Sequence, residues 1–191
     1  YKLAGAPTLA PALQSISRES SLAAADITDS IAGLRVPRQA HAEAVLDATK
    51  SPGFVQIAGV AGSGKSVVLR AAVESALRKG PALFLKSDRL QGATWPQYAA
   101  LSAHPPVDLA ELLTELGATG SKVLFVDGID RIESAHQNVL LDVLGTLETS
   151  GVLPDWTIVA TVRDSGLEPL RTWLPRSVLQ HGVKVLTVDS F

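Results

Sequence analysis

Five short runs, nearly all apolar, restrict the fold of this chain more than any other feature. They are FVQIA (54–58), ALFLK (82–86), KVLFVD (122–127), WTIVATV (156–162) and VKVLTV (183–188). Each has the length of a strand, and none alternates apolar with polar residues as a strand with one wet face does. Strands of this kind are buried on both faces. Helix-favouring segments separate them, so the runs assemble into a parallel sheet covered by helices on both sides. The expected fold class is α/β, three-layered, with a five-stranded parallel sheet between two layers of helices.

The segments between the runs fill in the helices. Leu9, Leu13, Ile16 and Ser20 fall at helical spacing, so a helix is expected over roughly Pro11 to Ala25. A second should follow Pro37, through RQAHAEAVLDATK, until Ser51-Pro52-Gly53 stops it. Others are expected at Lys65 to Lys79, near Pro96 to Leu101, in VDLAELLTELGA, at Ala135 to Thr149 and around Leu167 to Leu174. In VDLAELLTELGA, Leu109, Leu112, Leu113 and Leu116 share one face and Asp108 stands near the start. Residues 1–12 read as a loose tail rich in Ala and Pro, and DITDSIAGLRVPRQ carries turn signals around a short apolar patch. The chain thus divides into 1–33, a tail and helix, and 34–191, the sheet domain.

Composition excludes several classes of function. Charged residues are 19 % of the chain, the formal net charge is −2 and no Lys/Arg block occurs, so direct nucleic-acid binding is not expected. With no cysteine, disulfides and thiolate metal sites are impossible, which fits a reducing compartment. No apolar run approaches the ~18 residues of a membrane span. No basic region followed by an apolar stretch opens the chain, so no signal peptide is expected, and cytoplasmic is the default localisation. The chain begins at Tyr1 and contains no Met, as expected of a segment cut from something longer.

The junction after the first run carries the chemistry. GVAGSGKS (Gly59, Val60, Ala61, Gly62, Ser63, Gly64, Lys65, Ser66), followed by Val67, satisfies G-x-x-x-x-G-K-[ST] between a strand and a helix. Glycines let a backbone curl around phosphate oxygens with its N–H groups turned inward, and the helix adds its positive N-terminal end. Lys65 is suited to the β- and γ-phosphates and Ser66 to Mg2+. An ordinary glycine turn beside a surface lysine is the bland alternative.

A second acidic component should end another buried strand. Asp127 closes the run Val123 to Val126, which sets it at the carboxyl edge of the sheet, where it can hold Mg2+ through water. A plain turn aspartate is the alternative. Asp130, three residues on, can orient an attacking water or cap the following helix, and Glu133 is a weaker candidate for the first role.

These residues together resemble the STAND class of P-loop NTPases, with its NACHT and AP-ATPase branches: the glycine-rich loop, then LFVDGID, then TIVATVRD. The pattern from Val126 to Asp130 is similar to the NACHT form. The resemblance covers Leu34 to about Val188. It implies the strand order 5-1-4-3-2, and an inserted strand between those bearing the loop and Asp127 is also expected from their separation in sequence. It further implies ATP and ADP as ligands, a role as a signalling or antiviral-defence switch, and a homo-oligomer when active. Arg163 matches the family's sensor arginine, which feels the γ-phosphate; a solvated strand-end arginine is the alternative. VPRQAHAEAVL resembles the family's lead-in to the nucleotide, which implies Val36 and Arg38 near adenine and ribose; a plain helix start with an exposed arginine is the alternative.

The chain departs from the family where Arg131 replaces the acidic residue usual after the second aspartate. The family's helical and winged-helix domains follow the fifth strand, whereas this chain ends at Phe191, so a nucleotide-binding core of a larger switch is expected. Two functions stay open: a slowly hydrolysing ATP switch, and an interaction module that holds nucleotide without appreciable hydrolysis. A small-molecule kinase is disfavoured, because Trp95 to Pro106 lacks the arginines of a substrate lid. Arg171 and Arg176 are candidates for an arginine finger or for solvated helix ends. His41, His104, His136 and His181 lack metal-ligand spacing, and Trp95, Trp156 and Trp173 read as packing residues.

Overall fold

The apolar runs form one sheet in the computed structural model, which describes residues 7–28, 30–31, 34–35, 38–163, 167–180 and 182–189. Its strands are β3 (Gly53–Ala58), β4 (Leu83–Lys86), β5 (Val123–Asp127), β6 (Thr157–Thr161) and β7 (Val183–Thr187). They lie in the order β4-β5-β6-β3-β7, and every pairing is parallel. Counted within the sheet and read from β7, this is 5-1-4-3-2. The inserted strand is β6, which separates β3 from β5. Two further pairs of residues, β1 (Ser30–Ile31) and β2 (Leu34–Arg35), make a minimal antiparallel hairpin that the turn signals did not reveal.

Alternation along each strand divides the interior into two cores. Phe54, Leu83, Leu85, Leu124, Val126, Ile158 and Ala160 face one side, where α4 (Trp95–Leu101), α5 (Leu109–Thr119) and α6 (Gln137–Thr149) pack. Val55, Ile57, Phe84, Val123, Phe125 and Val159 face the other, under α2 (Gln39–Ala48) and α3 (Lys65–Leu77). The central strands are buried on both faces, which is why their sequences do not alternate.

The helix α1 (Ala10–Ala25) belongs to both cores. Ala12, Leu13 and Ile16 enter the first, and Ala23 and Ala24 enter the second. It therefore crosses the edge strand β4. At the crossing, Ser20 Oγ donates to Ala82 O at 2.9 Å and accepts from Phe84 N at 3.0 Å. One serine thus satisfies edge groups that would otherwise be open to a foreign strand. The sequence reading grouped this helix with the tail; its side chains are part of the common interior.

Two boundaries differ from expectation. The stretch expected to be helical around Leu167 to Leu174 contains only a 3-10 turn at Leu170–Thr172, and the helix there is α7 (Arg176–Gln180), which was not anticipated. Pro169 and Pro175 frame the turn and break a continuous helix. The helix expected from Ala135 starts as an α-helix at Gln137, after a 3-10 turn at Ser134–His136. Among the described residues, no helix is long and apolar enough to cross a membrane.

Candidate functional site

The carboxyl ends of β3, β5 and β6 bring the sequence candidates together. The loop after β3 depends on glycine at three points: φ is +148° at Gly59, +80° at Gly62 and +90° at Gly64. At Gly59 a second constraint acts, because a Cβ there would lie 2.5 Å from Val188 O and 2.7 Å from Ser63 Oγ. The end of β7 presses on the loop at this point, where Val188 N donates to Ala58 O at 2.8 Å. Gly64 is the N-cap of α3 and no side chain caps that helix, so its first-turn N–H groups face the loop.

The loop is held from both ends. Ser63 N donates to Val60 O at 3.2 Å and closes its turn. Lys65 folds back over it, with Nζ donating to Gly59 O at 2.5 Å and to Val60 O at 2.8 Å. That fixes an ammonium charge at the concave side of the loop. Val60, Ala61 and Gly62 are exposed, whereas Ser63 is buried and its Oγ has no hydrogen-bond partner. Val67 packs against the core beneath α3. Arg38, just before α2, donates from Nη2 to Ser63 O at 2.8 Å and to Asp189 O at 2.9 Å. It therefore braces the loop against the chain beyond β7. Val36, the other residue of the expected lead-in, lies outside the described residues.

Asp127 is the hub of the opposite wall. Its side chain is 2 % exposed. Oδ1 accepts from Ser66 Oγ at 2.8 Å and from Thr161 Oγ1 at 2.7 Å. Thr161 Oγ1 in turn accepts from Gly128 N at 2.6 Å. The guanidinium of Arg131 stands 3.8 Å from Asp127 Oδ2, the closest approach of a cation to this carboxylate among the described ion pairs.

Asp130 lies one turn further on, inside a 3-10 turn at Ile129–Arg131. It does not cap a helix: the N-cap of α6 is His136, without a side-chain bond. Its Oδ2 instead accepts from Arg163 Nε at 2.6 Å, and its buried Oδ1 has no partner. Arg163 follows β6, so the pair ties that strand's end to the turn after β5. Glu133 is exposed.

The other sequence candidates are elsewhere. Arg171 pairs at 3.4 Å with Glu168 on the surface, and with Arg176 it borders a small cavity of about 430 Å³. His136 Nδ1 lies 2.6 Å from Gly92 O, and His104 is buried against Ser15. His41 is half-buried on α2, and His181 lies outside the described residues. Trp95 and Trp156 are core residues, and Trp173 packs at its margin.

Thr161 is the site residue that sequence reasoning missed. Two-residue periodicity carries the signal. Val123, Phe125 and Asp127 share the α3 side of β5, and Val159 and Thr161 share it on β6. Only the strand order makes the two residues neighbours.

The donor set is hard: one hydroxyl and one carboxylate, with an ammonium at the loop and two guanidiniums at the rim. No group of three or more His, Cys, Asp or Glu gathers among the described residues, so a cation here would rely on few protein ligands and on oxygens of its own ligand. No protein-family model matches the chain, and no curated protein matches it.

Proposed function

We propose that the chain is the nucleotide-binding core of a STAND-type P-loop NTPase, and that it works as an ATP-dependent switch whose slow hydrolysis resets it. One observation carries this reading: the glycine-rich loop, with its uncapped helix start, faces a buried aspartate that is hydrogen-bonded at 2.8 Å to the serine ending the loop. Loop N–H groups and Lys65 suit phosphate oxygens. Ser66 directly, and Asp127 through water, would hold Mg2+. Bound Mg2+ would neutralise charge on the phosphates.

The chain's own residues supply the rest of the chemistry. Asp130, in the turn after β5 and held there by Arg163, is the carboxylate that would orient a water for in-line attack. Arg163, exposed at the rim and matching the family's sensor arginine, would be the cation that feels the terminal phosphate. ATP and ADP are favoured by the family resemblance, and no N-K-x-D motif for guanine occurs. A switch needs its two nucleotide states to differ by only a few kcal/mol in their preference between conformations, so fast turnover is unnecessary. An active homo-oligomer and a role in signalling or defence belong to the same proposal.

A second reading has specific support. Both carboxylates already have guanidinium neighbours, Arg131 at Asp127 and Arg163 at Asp130. That favours a module which holds nucleotide with negligible hydrolysis.

The test is to purify the protein without added nucleotide, denature it and identify any released nucleotide by chromatography, then titrate ATP with Mg2+ by calorimetry. Co-purified ADP or measurable Mg2+-dependent ATP binding is expected. A chain that carries no nucleotide and binds none overturns both readings.

A further inference from the structure

We infer that Thr161 is a positioning residue for Asp127: its buried hydroxyl locks the carboxylate toward Ser66 and so sets how tightly the site holds the Mg2+ that accompanies nucleotide. The inference rests on the reading of the site given above.

Direction can be assigned to each hydrogen bond. A threonine hydroxyl has one proton, and a carboxylate only accepts. Gly128 N can only donate, so it uses a lone pair of Thr161 Oγ1, at 2.6 Å. The Thr161 proton is then committed to Asp127 Oδ1, at 2.7 Å. Oδ1 also accepts the proton of Ser66, at 2.8 Å, so one carboxylate oxygen is pinned at once from the end of β6 and from the first turn of α3. Ser66 spends its proton on this bond and keeps its lone pairs for a cation.

Without Thr161 the carboxylate would keep one hydroxyl anchor, Ser66, in place of two. The terminal torsion of aspartate is broad. Arg131, the cation paired with Oδ2 among the described residues, stands at 3.8 Å, beyond hydrogen-bond distance. Thr161 is itself fixed, being 2 % exposed at the end of a strand paired on both sides. It also holds the N–H of Gly128, whose φ of +67° begins the turn that carries Asp130. One hydroxyl therefore orders both acidic residues.

A merely structural threonine would affect stability alone, whereas a positioning one affects the Mg2+ requirement. The experiment is ATP binding by calorimetry, in EDTA and across a Mg2+ titration, for the wild type, T161V and T161S. In T161V, ATP affinity in EDTA should stay within about twofold of wild type while half-saturating Mg2+ rises by about tenfold or more, as for other outer-shell ligands of metal sites. T161S, which keeps the donor, should restore the wild-type requirement. If T161V does not fold, T161S and T161C take its place: the thiol is a weak donor, and T161C should require about tenfold more Mg2+ than T161S. An unchanged requirement in T161V, or equal requirements in T161S and T161C, overturns the role of Thr161 and leaves the site intact. A wild type that binds no ATP under either condition overturns the site itself, and the inference with it.

Discussion

Arg163 donates to Asp130 across 2.6 Å, and the two side chains sit in different media: the arginine is 59 % exposed and the aspartate 3 %. The pair is therefore asymmetric. Removing the arginine leaves a buried carboxylate with neither oxygen bonded, at a cost of about 1–3 kcal/mol. Removing the charge from the aspartate leaves a guanidinium that water can solvate. Arg163→Ala should thus lose more stability in urea than Asp130→Asn. Equal losses, or the reverse order, would mean the pair is not what holds the turn after β5.

Asp130→Ala separates the switch from the holding module. If Asp130 orients water, steady-state ATP hydrolysis should fall by about 10²-fold or more while ATP affinity stays close to wild type. A variant that hydrolyses ATP like the wild type removes Asp130 from the chemistry and makes Glu133 the next candidate. A wild type with no turnover above background favours the module.

Lys65→Ala tests the loop. Its ammonium now rests on two loop carbonyls, at 2.5 and 2.8 Å, and these are replaceable by water on the exposed side. The fold should survive, with a melting curve near that of wild type. Triphosphate affinity should drop by about tenfold or more, since a charge-assisted bond of ~1.5–3 kcal/mol is lost. Normal ATP binding by calorimetry would refute the assignment of this loop to phosphate.

Two glycines of the same loop should respond differently to alanine. At Gly62 the conformation is left-handed but the space is open, so the cost is the backbone term alone, ~1–2 kcal/mol. At Gly59 a Cβ would also meet Val188 O at 2.5 Å, and a backbone oxygen cannot swing aside. Gly59→Ala should be clearly less stable than Gly62→Ala in thermal melts. If the two are alike, the end of β7 is not wedged against the loop.

How much of this could be read from the sequence follows from range. The sheet strands were legible because burial on both faces leaves unbroken apolar runs, and Gly59, Gly62 and Gly64 because each serves a backbone angle that other residues avoid. Ser66 was legible as the close of the glycine-rich motif, and Asp127 as an acidic residue at a strand end. Their contact, the grip of Thr161 on Asp127 and the pairing of Arg163 with Asp130 all depend on strand order, which no local pattern encodes. The crossing of α1 over β4 is similar: the spacing of Leu9, Leu13 and Ile16 gives a helix, but the bonds of Ser20 reach 62 and 64 residues along the chain. The β1–β2 hairpin was too short to leave a period, and α7 was obscured by the prolines around it.

His104 makes the docking of α1 sensitive to pH. It is buried, its Nδ1 lies 2.8 Å from Ser15 Oγ of α1, and the ring of Tyr98 is 5.9 Å away. Burial pushes its imidazole below the ordinary 6.5, and the carboxylate of Glu19 on α1 opposes this only in part. The folded protein therefore resists protonation that the unfolded chain accepts. As pH falls through about 6.5, the unfolded state binds more protons and stability drops, by at most ~1.4 kcal/mol per pH unit for one group. Above that pH the contribution is fully present. His104→Asn retains a polar partner for Ser15 but does not titrate. The stability advantage of wild type over His104→Asn, from urea midpoints, should therefore shrink between about pH 7.5 and pH 5.5. An advantage constant across that range would show that the imidazole takes up protons as readily folded as unfolded, and that the seat of α1 beside the groove of about 940 Å³ lined by His104, Trp95 and Leu112 is indifferent to pH.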